Sequence, residues 1–328
     1  MKKIGLALGS GGARGWAHLG VIQALQEAGI PIHGVAGVSM GALVGGAYAS
    51  GKVAVLREVA LRLDWKQVLY HFLEFTFPRS GLVDGAKVVR FVREQVAKSD
   101  IESLPVPFAA VATDLSTGRE VVIRKGDLID AIRASISLPG IFTPVIRGDE
   151  VLVDGGLINP VPVSVARQMG ADVVIAVDLN RGAVDRRAKA RPAASARPAA
   201  LSAGQNRFLR TLEEQIRHFD VRVLTPARRW MAAQADLPTV FDVLGNSIRI
   251  MEAQIAETRL KVDPPDVLIR PKVGRLNFME FHRADEVIRA GYAATMAQMD
   301  AIRSFARHTG FPDLGKKMRE FSRGWKKA

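Results

Sequence analysis

The pentapeptide Gly-Val-Ser-Met-Gly at 37–41 constrains this chain most, because it stands between a short apolar run at 34–38 and a stretch of small apolar residues at 41–49. We expect a strand before it and a closely packed helix after it. A sharp strand-to-helix turn pushes its central residue, here Ser39, into a strained and exposed position, and flanking glycines avoid Cβ clashes. The helix N-terminus behind the serine favours developing negative charge. The pattern predicts a nucleophile, with a closely packed serine in a tight turn as the alternative.

The same alternation of strand and helix runs through the first 180 residues. Short apolar or β-branched runs predict strands, and apolar side chains that recur every three or four residues predict helices. Strands are expected at 3–8, 34–38, 107–112, 119–123, 150–153 and 172–178, and helices after the loop at 9–15 and at 41–49, 127–136 and 161–169. This alternation implies an α/β fold with a mostly parallel sheet covered by helices on both faces.

The second half of the chain has a different organisation. Residues 181–206 form a basic, Pro/Ala-rich segment without apolar periodicity, which predicts a flexible insert. Helices are expected at 206–223, 239–260 and 284–306, with a short strand at 267–269. We therefore predict a catalytic core at 1–180, the insert at 181–206, and a helical part at 207–328 that packs on the core.

The positive charge is concentrated in two short segments. Of the formal net charge of +13, eleven charges fall in 181–210 and 311–328. A nucleic-acid-binding domain usually carries a basic stripe on its folded surface. We therefore expect no nucleic-acid partner, and interpret the charge as a solvated linker and tail or as an attraction to anionic lipid.

A glycine loop, Gly-Ser-Gly-Gly-Ala-Arg-Gly at 9–15, follows the first predicted strand. Successive backbone N–H groups at such a junction can bind an anion, including the oxyanion of an acyl-transfer reaction. A dinucleotide-binding fingerprint fails because Arg14 occupies its third glycine position, and a P-loop fails because no Gly-Lys-Ser/Thr follows. The loop is therefore typical of anion binding without the two common phosphate-binding forms.

A second polar group lies in the Asp-Gly-Gly sequence at 154–156, at the end of a predicted strand. Asp154 is well placed for a site at the edge of an α/β sheet, and an ordinary Asp-Gly turn is the equal alternative. The chain has no cysteine, which excludes thiol nucleophiles. His218, His282 and His308 lie in polar helical stretches typical of surface histidines, and a Ser-His-Asp esterase that uses one of them remains an alternative.

Together these ordered motifs resemble the patatin-like phospholipase family, in particular its bacterial branch. The segments at 81–85 and 134–142 are similar to further segments of that family. The resemblance is clear over 1–180 and looser over 238–300. It implies a three-layer α/β/α fold with additional C-terminal helices, a lipid or phospholipid substrate, and chemistry that requires neither a cofactor nor a metal. A non-catalytic lipid- or protein-binding regulator on the same fold is the second alternative.

The resemblance also implies a role for each motif residue. Ser39 matches the nucleophile and Asp154 the base of a dyad without histidine. Gly11 and Gly12 match the oxyanion-hole positions, and Arg14 matches a basic position associated with anion binding. Gly37 and Gly41 flank the nucleophile, and Gly155 and Gly156 complete the turn after the base. Because a free Asp has a pKa near 3.9, we expect burial and hydrogen bonding to Ser39 to strengthen Asp154 as a base.

Membrane contact is predicted for the tail at 311–328. Its apolar residues recur at helical spacing between lysines and arginines: Leu314, Met318, Phe321 and Trp325. This pattern indicates a basic amphipathic helix that binds an anionic membrane, or else a helix packed on the body. The uncharged span at 28–51 is long enough to cross a bilayer, but its seven glycines favour turns and close packing. The first apolar run is too short for a signal peptide. We therefore expect a cytoplasmic protein with peripheral contact at the inner face of the membrane, and the sequence does not predict an oligomeric state.

Overall fold

A computed structural model describes residues 2–63, 100–180, 240–274 and 276–307 of the chain. All of them except 240–243 belong to one compact unit. Several predicted segments lie outside the described residues: 81–85, the insert at 181–206, the helix at 206–223 and the tail at 311–328.

The centre of this unit is an eight-stranded sheet. Its strands are β1 (Ile4–Leu8), β2 (Gly34–Val38), β3 (Phe108–Asp114), β4 (Glu120–Ile123), β5 (Val145–Arg147), β6 (Glu150–Asp154), β7 (Val173–Val177) and β8 (Val267–Ile269). The order is β5-β6-β3-β2-β1-β7-β8, and β4 pairs with β3 outside this order. β3, β2, β1, β7 and β8 pair in parallel, whereas β4, β5 and β6 make antiparallel pairs. Five of the eight strands thus form the expected parallel sheet.

Helices cover both faces of the sheet. They are α1 (Ala17–Glu27), α2 (Met40–Ala49), α3 (Val53–Arg62), α4 (Leu128–Ser135), α5 (Val163–Gln168), α6 (Val240–Val262), α7 (Ala284–Met296) and α8 (Met299–Arg307), with short 3-10 helices at Gly12–Trp16, Ile101–Ser103, Gly155–Leu157 and Phe281–Arg283. Side chains of alternate strand residues pack on opposite faces. Leu6 and Leu8 join a core with α1, α2, α4 and α7, whereas Ala7 joins a second core with α5 and α6. The result is the three-layer α/β/α architecture expected from the sequence.

The differences from the sequence predictions are local. The predicted helix at 284–306 is two helices, α7 and α8, which are separated by Ala297 and Gln298. β5 was not predicted, because three residues with a charge at the end give too short a pattern to indicate a strand. The uncharged span at 28–51 contains β2 and the whole of α2. No helix in the described ranges is long and apolar enough to cross a membrane.

Candidate active site

Three chain segments meet at the carboxyl edge of the sheet. β1 and β2 are adjacent and parallel, with Leu8 opposite Gly37, so the glycine loop (9–15) and the serine elbow (37–41) begin side by side. β6 runs antiparallel to β3 and ends at Asp154, which lies opposite Ala112. The sheet thereby brings the Asp-Gly-Gly turn to two motifs that precede it by more than a hundred residues in sequence.

The serine elbow has a strained backbone. Ser39 has φ 54° and ψ −123°, and it is the only non-glycine residue with positive φ in the described part of the chain. Its backbone N–H donates to Ser135 Oγ at 2.9 Å, and Ser135 Oγ in turn donates to the Val111 carbonyl at 2.6 Å. Strain of this kind persists only where the surrounding structure fixes it, and it clusters at functional sites.

Ser39 Oγ donates a hydrogen bond to Asp154 Oδ2 at 2.6 Å. The short distance is typical of a hydroxyl bound to an ionised carboxylate. Ser39 is 7% exposed and Asp154 only 1%, so the pair lies in a nearly dry environment with an opening on the serine side. The pairing was predicted from the sequence only through the resemblance.

The glycines that flank the serine are sterically required. A Cβ on Gly41 would collide with the Leu8 carbonyl oxygen and would stand 2.8 Å from the Gly9 carbonyl oxygen. A Cβ on Gly37 would collide with the carbonyl oxygen of Gly41. Because all of these obstacles are backbone atoms, neither position can accept a side chain without moving β1 or the start of α2.

Asp154 is held at four points in the Asp-Gly-Gly turn (154–156). Its Oδ1 accepts from the Gly156 N–H at 2.8 Å, and its Oδ2 accepts from Ser39. Its own N–H donates to the Ser137 carbonyl at 2.9 Å, and its carbonyl accepts from Thr113 Oγ1 at 3.0 Å. Burial raises the pKa of Asp154 to about 6, although both side-chain hydrogen bonds oppose the shift. The carboxyl group is therefore a stronger base than an ordinary Asp.

Gly155 completes this turn and lies against the sheet. A Cβ at Gly155 would collide with the Val111 carbonyl oxygen. Val111 is also the acceptor for Ser135, so β3 contacts both the Asp-Gly-Gly turn and the support of the serine elbow.

The glycine loop presents backbone donors on the same edge. Within the described part of the chain, the N–H groups of Gly11 and Gly12 donate to no protein acceptor, whereas Gly9, Ser10 and Ala13 donate to backbone carbonyls. Gly12 has φ +55°, a conformation that favours glycine. Two consecutive uncommitted amides of this kind can bind an anion.

Arg14 lies beneath this loop and has no exposed surface. Its Nε donates to the Gly11 carbonyl at 3.2 Å, and its Nη1 donates to the Leu179 carbonyl at 3.0 Å. The guanidinium thus ties the glycine loop to the segment after β7. This contact fixes the Gly11 carbonyl, next to the uncommitted amides of Gly11 and Gly12.

Sequence analysis missed one buried acid in this region, Glu252 of α6, which is 3% exposed. Burial and the nearby Asp154 carboxylate raise the pKa of Glu252 to about 8, and Arg14 and a hydrogen bond with Ser10 act in the opposite direction. A signal was present, since Ile248, Glu252 and Ala256 follow one another at a spacing of four and all three are buried. An acid within an apolar stripe is unusual and indicates a partner.

Histidines have other roles in the described part of the chain. His18 is fully buried, its Nε2 contacts the Gly9 carbonyl at 2.8 Å, and burial lowers its pKa to about 4. His33 accepts from the Ile4 N–H at the start of β1, and His282 is exposed. His218 and His308 lie outside the described residues. The hydrogen bond from Ser39 Oγ to Asp154 favours a dyad over the Ser-His-Asp alternative.

Comparison with known proteins supports the family resemblance that the sequence motifs indicate. Residues 6–167 match the family model of the patatin-like phospholipases. An uncharacterized NTE family protein of Mycobacterium tuberculosis is 35% identical over 92% of this chain and 92% of its own length. A second NTE family protein of that organism is 35% identical over 92% of this chain and 48% of its own length. The mouse patatin-like phospholipase domain-containing protein 6 is 37% identical over 54% of this chain and 13% of its own length. This chain therefore belongs to the patatin-like phospholipase family.

Proposed function

We propose that this protein hydrolyses carboxylic esters of lipids, with Ser39 as the nucleophile and Asp154 as its general base. One observation carries the proposal: the hydroxyl group of a strained, slightly exposed serine donates to a buried carboxylate at 2.6 Å. Nucleophile and base within hydrogen-bond reach are the signature of covalent catalysis. Family membership supports the lipid class of substrate.

In the first half of the reaction, Ser39 Oγ attacks the ester carbonyl carbon while Asp154 Oδ2 accepts the hydroxyl proton. A base with an ordinary aspartate pKa would hold this proton weakly, and a pKa of about 6 brings Asp154 closer to the operating pH. The carboxyl group then passes the proton to the leaving alcohol as the tetrahedral intermediate collapses to an acyl-enzyme.

The negative charge of the intermediate requires donors, and the uncommitted amides of Gly11 and Gly12 are the proposed oxyanion hole. In the second half of the reaction, Asp154 removes a proton from water, and the water oxygen attacks the acyl carbon of the acyl-enzyme. Asp154 then returns the proton to Ser39 Oγ as the bond between Ser39 and the acyl group breaks and the free acid leaves. No step needs a metal or a cofactor. Arg14 supports the loop from beneath, and we propose that its positive charge also favours the anion above it.

We further propose that the substrate is presented at a membrane. The basic tail at 311–328 carries apolar residues at helical spacing, and such helices bind anionic lipid surfaces. Sedimentation of the full chain and of a variant without 311–328 with phosphatidylglycerol vesicles tests this step. Weaker sedimentation of the shortened chain is expected, and equal sedimentation would contradict it.

The central experiment measures hydrolysis of a p-nitrophenyl acyl ester and of a phospholipid by wild type, Ser39→Ala and Asp154→Asn. We expect each variant to lose at least about a thousandfold in kcat, because nucleophile and base act as a unit. Ser50→Ala at the other end of α2 and Asp172→Asn at the opposite edge of the sheet are matched controls that should keep their activity. Circular dichroism verifies folding.

Two outcomes would contradict the proposal. An Asp154→Asn variant that retains activity would favour the histidine triad. A folded wild type that hydrolyses neither substrate faster than Ser39→Ala would favour the non-catalytic binding module.

A further inference from the structure

Glu252 is a buried carboxyl group beside the candidate site, and the proposed dyad mechanism gives it no role. It belongs to α6, almost a hundred residues beyond Asp154 in sequence, and its side chain is 3% exposed. α6 packs on the sheet through Ala256 and Leu260, and this packing directs Glu252 toward the carboxyl edge. A carboxyl group is rarely buried to this extent without a structural or functional partner.

The carboxyl group of Glu252 contacts the Asp-Gly-Gly turn directly. A Cβ on Gly156 would overlap Glu252 Oε1, so the carboxyl oxygen fills the space that any other residue would need for its side chain. Gly156 is also the residue whose N–H donates to Asp154 Oδ1 at 2.8 Å. Glu252 therefore packs against the residue whose backbone N–H orients the Asp154 carboxylate.

The same carboxyl group also reaches the glycine loop. The Ser10 hydroxyl and the Arg14 guanidinium lie close enough to Glu252 to lower the pKa of its carboxyl group. Ser10 is 1% exposed and immediately precedes Gly11. One side chain from α6 therefore contacts the Asp-Gly-Gly turn and interacts with the glycine loop. The relative position of these two segments sets the distance between the dyad and the uncommitted amides.

We propose that Glu252 is a positioning residue of this site, whose carboxyl group joins the glycine loop to the Asp-Gly-Gly turn and fixes the Gly11 and Gly12 amides relative to Ser39 and Asp154. Its effect on catalysis rests on the proposed esterase function. Small misplacements of reacting groups cost about a hundredfold in rate, so a bridge of this kind has a measurable kinetic consequence.

The charge state of Glu252 determines when the bridge is favourable. The charged groups that face it are Asp154 from β6 and Arg14 from the glycine loop, and its pKa of about 8 leaves it neutral at pH 7. A neutral Glu252 adds no negative charge beside the developing oxyanion. Above pH 8 it ionises and repels both Asp154 and the oxyanion, so the two carboxyl groups titrate as a coupled pair.

The kinetic test compares Glu252→Ala and Glu252→Gln with wild type, and uses Glu257→Gln as the matched control on the same helix. Glu257 is exposed, and in the described ranges it pairs with Lys261 on the same helix at 3.1 Å. At pH 7 we expect Glu252→Ala to lower kcat by about 10- to 100-fold with KM changed by less than about threefold, because the geometry and not the binding is lost. Glu252→Gln keeps the shape and the neutral charge, and its kcat should stay within about threefold of wild type.

The pH profile separates positioning from a merely structural role. In wild type, kcat should rise through pH 6 as Asp154 ionises and fall through pH 8 as Glu252 ionises. In Glu252→Gln the fall near pH 8 should be absent, because the amide cannot ionise. An unchanged alkaline limb in Glu252→Gln, or a kcat of Glu252→Ala within about twofold of wild type, would overturn the proposal.

Amide hydrogen exchange measured by mass spectrometry tests the bridge without any substrate. Glu252→Ala should accelerate exchange in the segments 9–15 and 154–159 by about tenfold relative to Glu257→Gln. Unchanged exchange in both segments would reject the bridge. If wild type proves no more active than Ser39→Ala, the esterase function fails, and the exchange result still decides whether Glu252 joins the two segments.

Discussion

The junction after β2 is held largely by residues close to Ser39 in sequence, whereas the junction after β1 is held by side chains and carbonyls from far away. The serine elbow depends on Gly37, Gly41 and hydrogen bonds from Ala42 and Leu43 to the Ser39 carbonyl. The glycine loop depends on contacts with residues far along the chain: Leu179, Asn180, Glu252 and Phe278. Two neighbouring parallel strands thus end in junctions that are stabilised in different ways.

This difference indicates how each half of the site would respond to change. A junction restricted by backbone atoms, its own and those at the end of the adjacent β1, has one conformation or none, because main-chain carbonyls held by strands and helices cannot move aside. A junction fixed by distant side chains can loosen by degrees as those side chains are altered. Nucleophile geometry is therefore expected to be all-or-none, and oxyanion geometry to be adjustable.

The largest expected effect comes from placing a methyl group in each junction. Gly41→Ala should destabilise the fold by about 4 kcal/mol or more, because its Cβ would overlap the Leu8 carbonyl oxygen. Gly12→Ala should cost about 1–3 kcal/mol, because its Cβ meets the Phe278 ring at 2.5 Å, which can shift, and its φ is +55°. Urea unfolding measures both, with Gly245→Ala, which meets no described atom within 4 Å, as the control. Equal losses of unfolding free energy in Gly41→Ala and Gly12→Ala would contradict the proposed difference between the two junctions.

Removal of Arg14 should have the next largest effect, and it tests the distant support of the glycine loop. Arg14→Ala empties a fully buried side-chain site, leaves the Leu179 carbonyl without its donor, and leaves the Gly11 carbonyl with only the backbone N–H of residue 14. We expect this to cost about 2–5 kcal/mol of unfolding free energy. The loop should also lose its geometry, and kcat should fall by about a hundredfold.

A second buried arginine provides the matched comparison for Arg14. Arg133 of α4 is 8% exposed, donates to Ser137 Oγ and the Thr143 carbonyl, and lies 5.5 Å from the centre of the Phe142 ring. Arg133→Ala should lose similar stability with a much smaller loss of kcat. If both variants lose kcat in proportion to stability, Arg14 has no special connection with the uncommitted amides of Gly11 and Gly12.

Much of the serine elbow could be predicted from the sequence, because its determinants lie within five residues. The strand, the strained Ser39 and the helix after it all follow from one pentapeptide between two apolar runs. The central parallel strands were predictable for the same reason, since buried strands carry continuous apolar runs. The break between α7 and α8 was not, because the apolar spacing continues across Ala297 and Gln298.

For the glycine loop, the sequence showed only the run of glycines and not the contacts that hold it. Its sequence indicated free amides, but the ties to Leu179, Glu252 and Phe278 depend on how the sheet and α6 fold. The resemblance implied an anion-binding role for Arg14, but neither the resemblance nor the sequence pattern predicted its burial beneath the loop. From the residues alone, Asp154 could equally have belonged to an ordinary Asp-Gly turn, and only the resemblance identified it as the partner of Ser39. A local sequence pattern cannot show this contact, because 115 residues separate Ser39 from Asp154.

Protonation of His18, whose Nε2 contacts the Gly9 carbonyl of the glycine loop, should lower the free energy of unfolding. The folded-state pKa of His18, about 4, lies below its usual value of 6.5, so stability from this group is lost as pH falls from 6.5 toward 4. Between pH 7 and pH 5 the loss is about 2 kcal/mol. Asp154 and Glu252 have raised pKa values, so their contributions to stability have the opposite slope and decline as pH rises through about 6 and about 8.

Urea unfolding at pH 7 and pH 5 isolates the histidine contribution. His18→Gln should gain about 2 kcal/mol relative to wild type on going from pH 7 to pH 5, because the variant has no proton to take up on unfolding. His282→Gln, at an exposed position, serves as the control and should follow wild type. Parallel curves for His18→Gln and wild type would contradict the prediction, because they would mean that folding does not lower the pKa of His18.

The smallest effect is expected at Ser135, a distant side chain that supports the backbone of the serine elbow. Ser135 is fully buried, accepts from the Ser39 N–H at 2.9 Å and donates to the Val111 carbonyl at 2.6 Å. Ser135→Ala leaves one buried donor and one buried acceptor unpaired, at a cost of about 1–2 kcal/mol. Because the glycines still restrict the backbone sterically, kcat should fall by only about tenfold.

Ser137→Ala is the matched control: it is equally buried, and its hydroxyl contacts Arg133 and not the elbow. We expect it to lose similar stability with a smaller effect on kcat. A loss of a thousandfold or more in Ser135→Ala would place the elbow among the structures that depend on distant support, because it would show that steric restriction by Gly37 and Gly41 is insufficient to hold Ser39 in place.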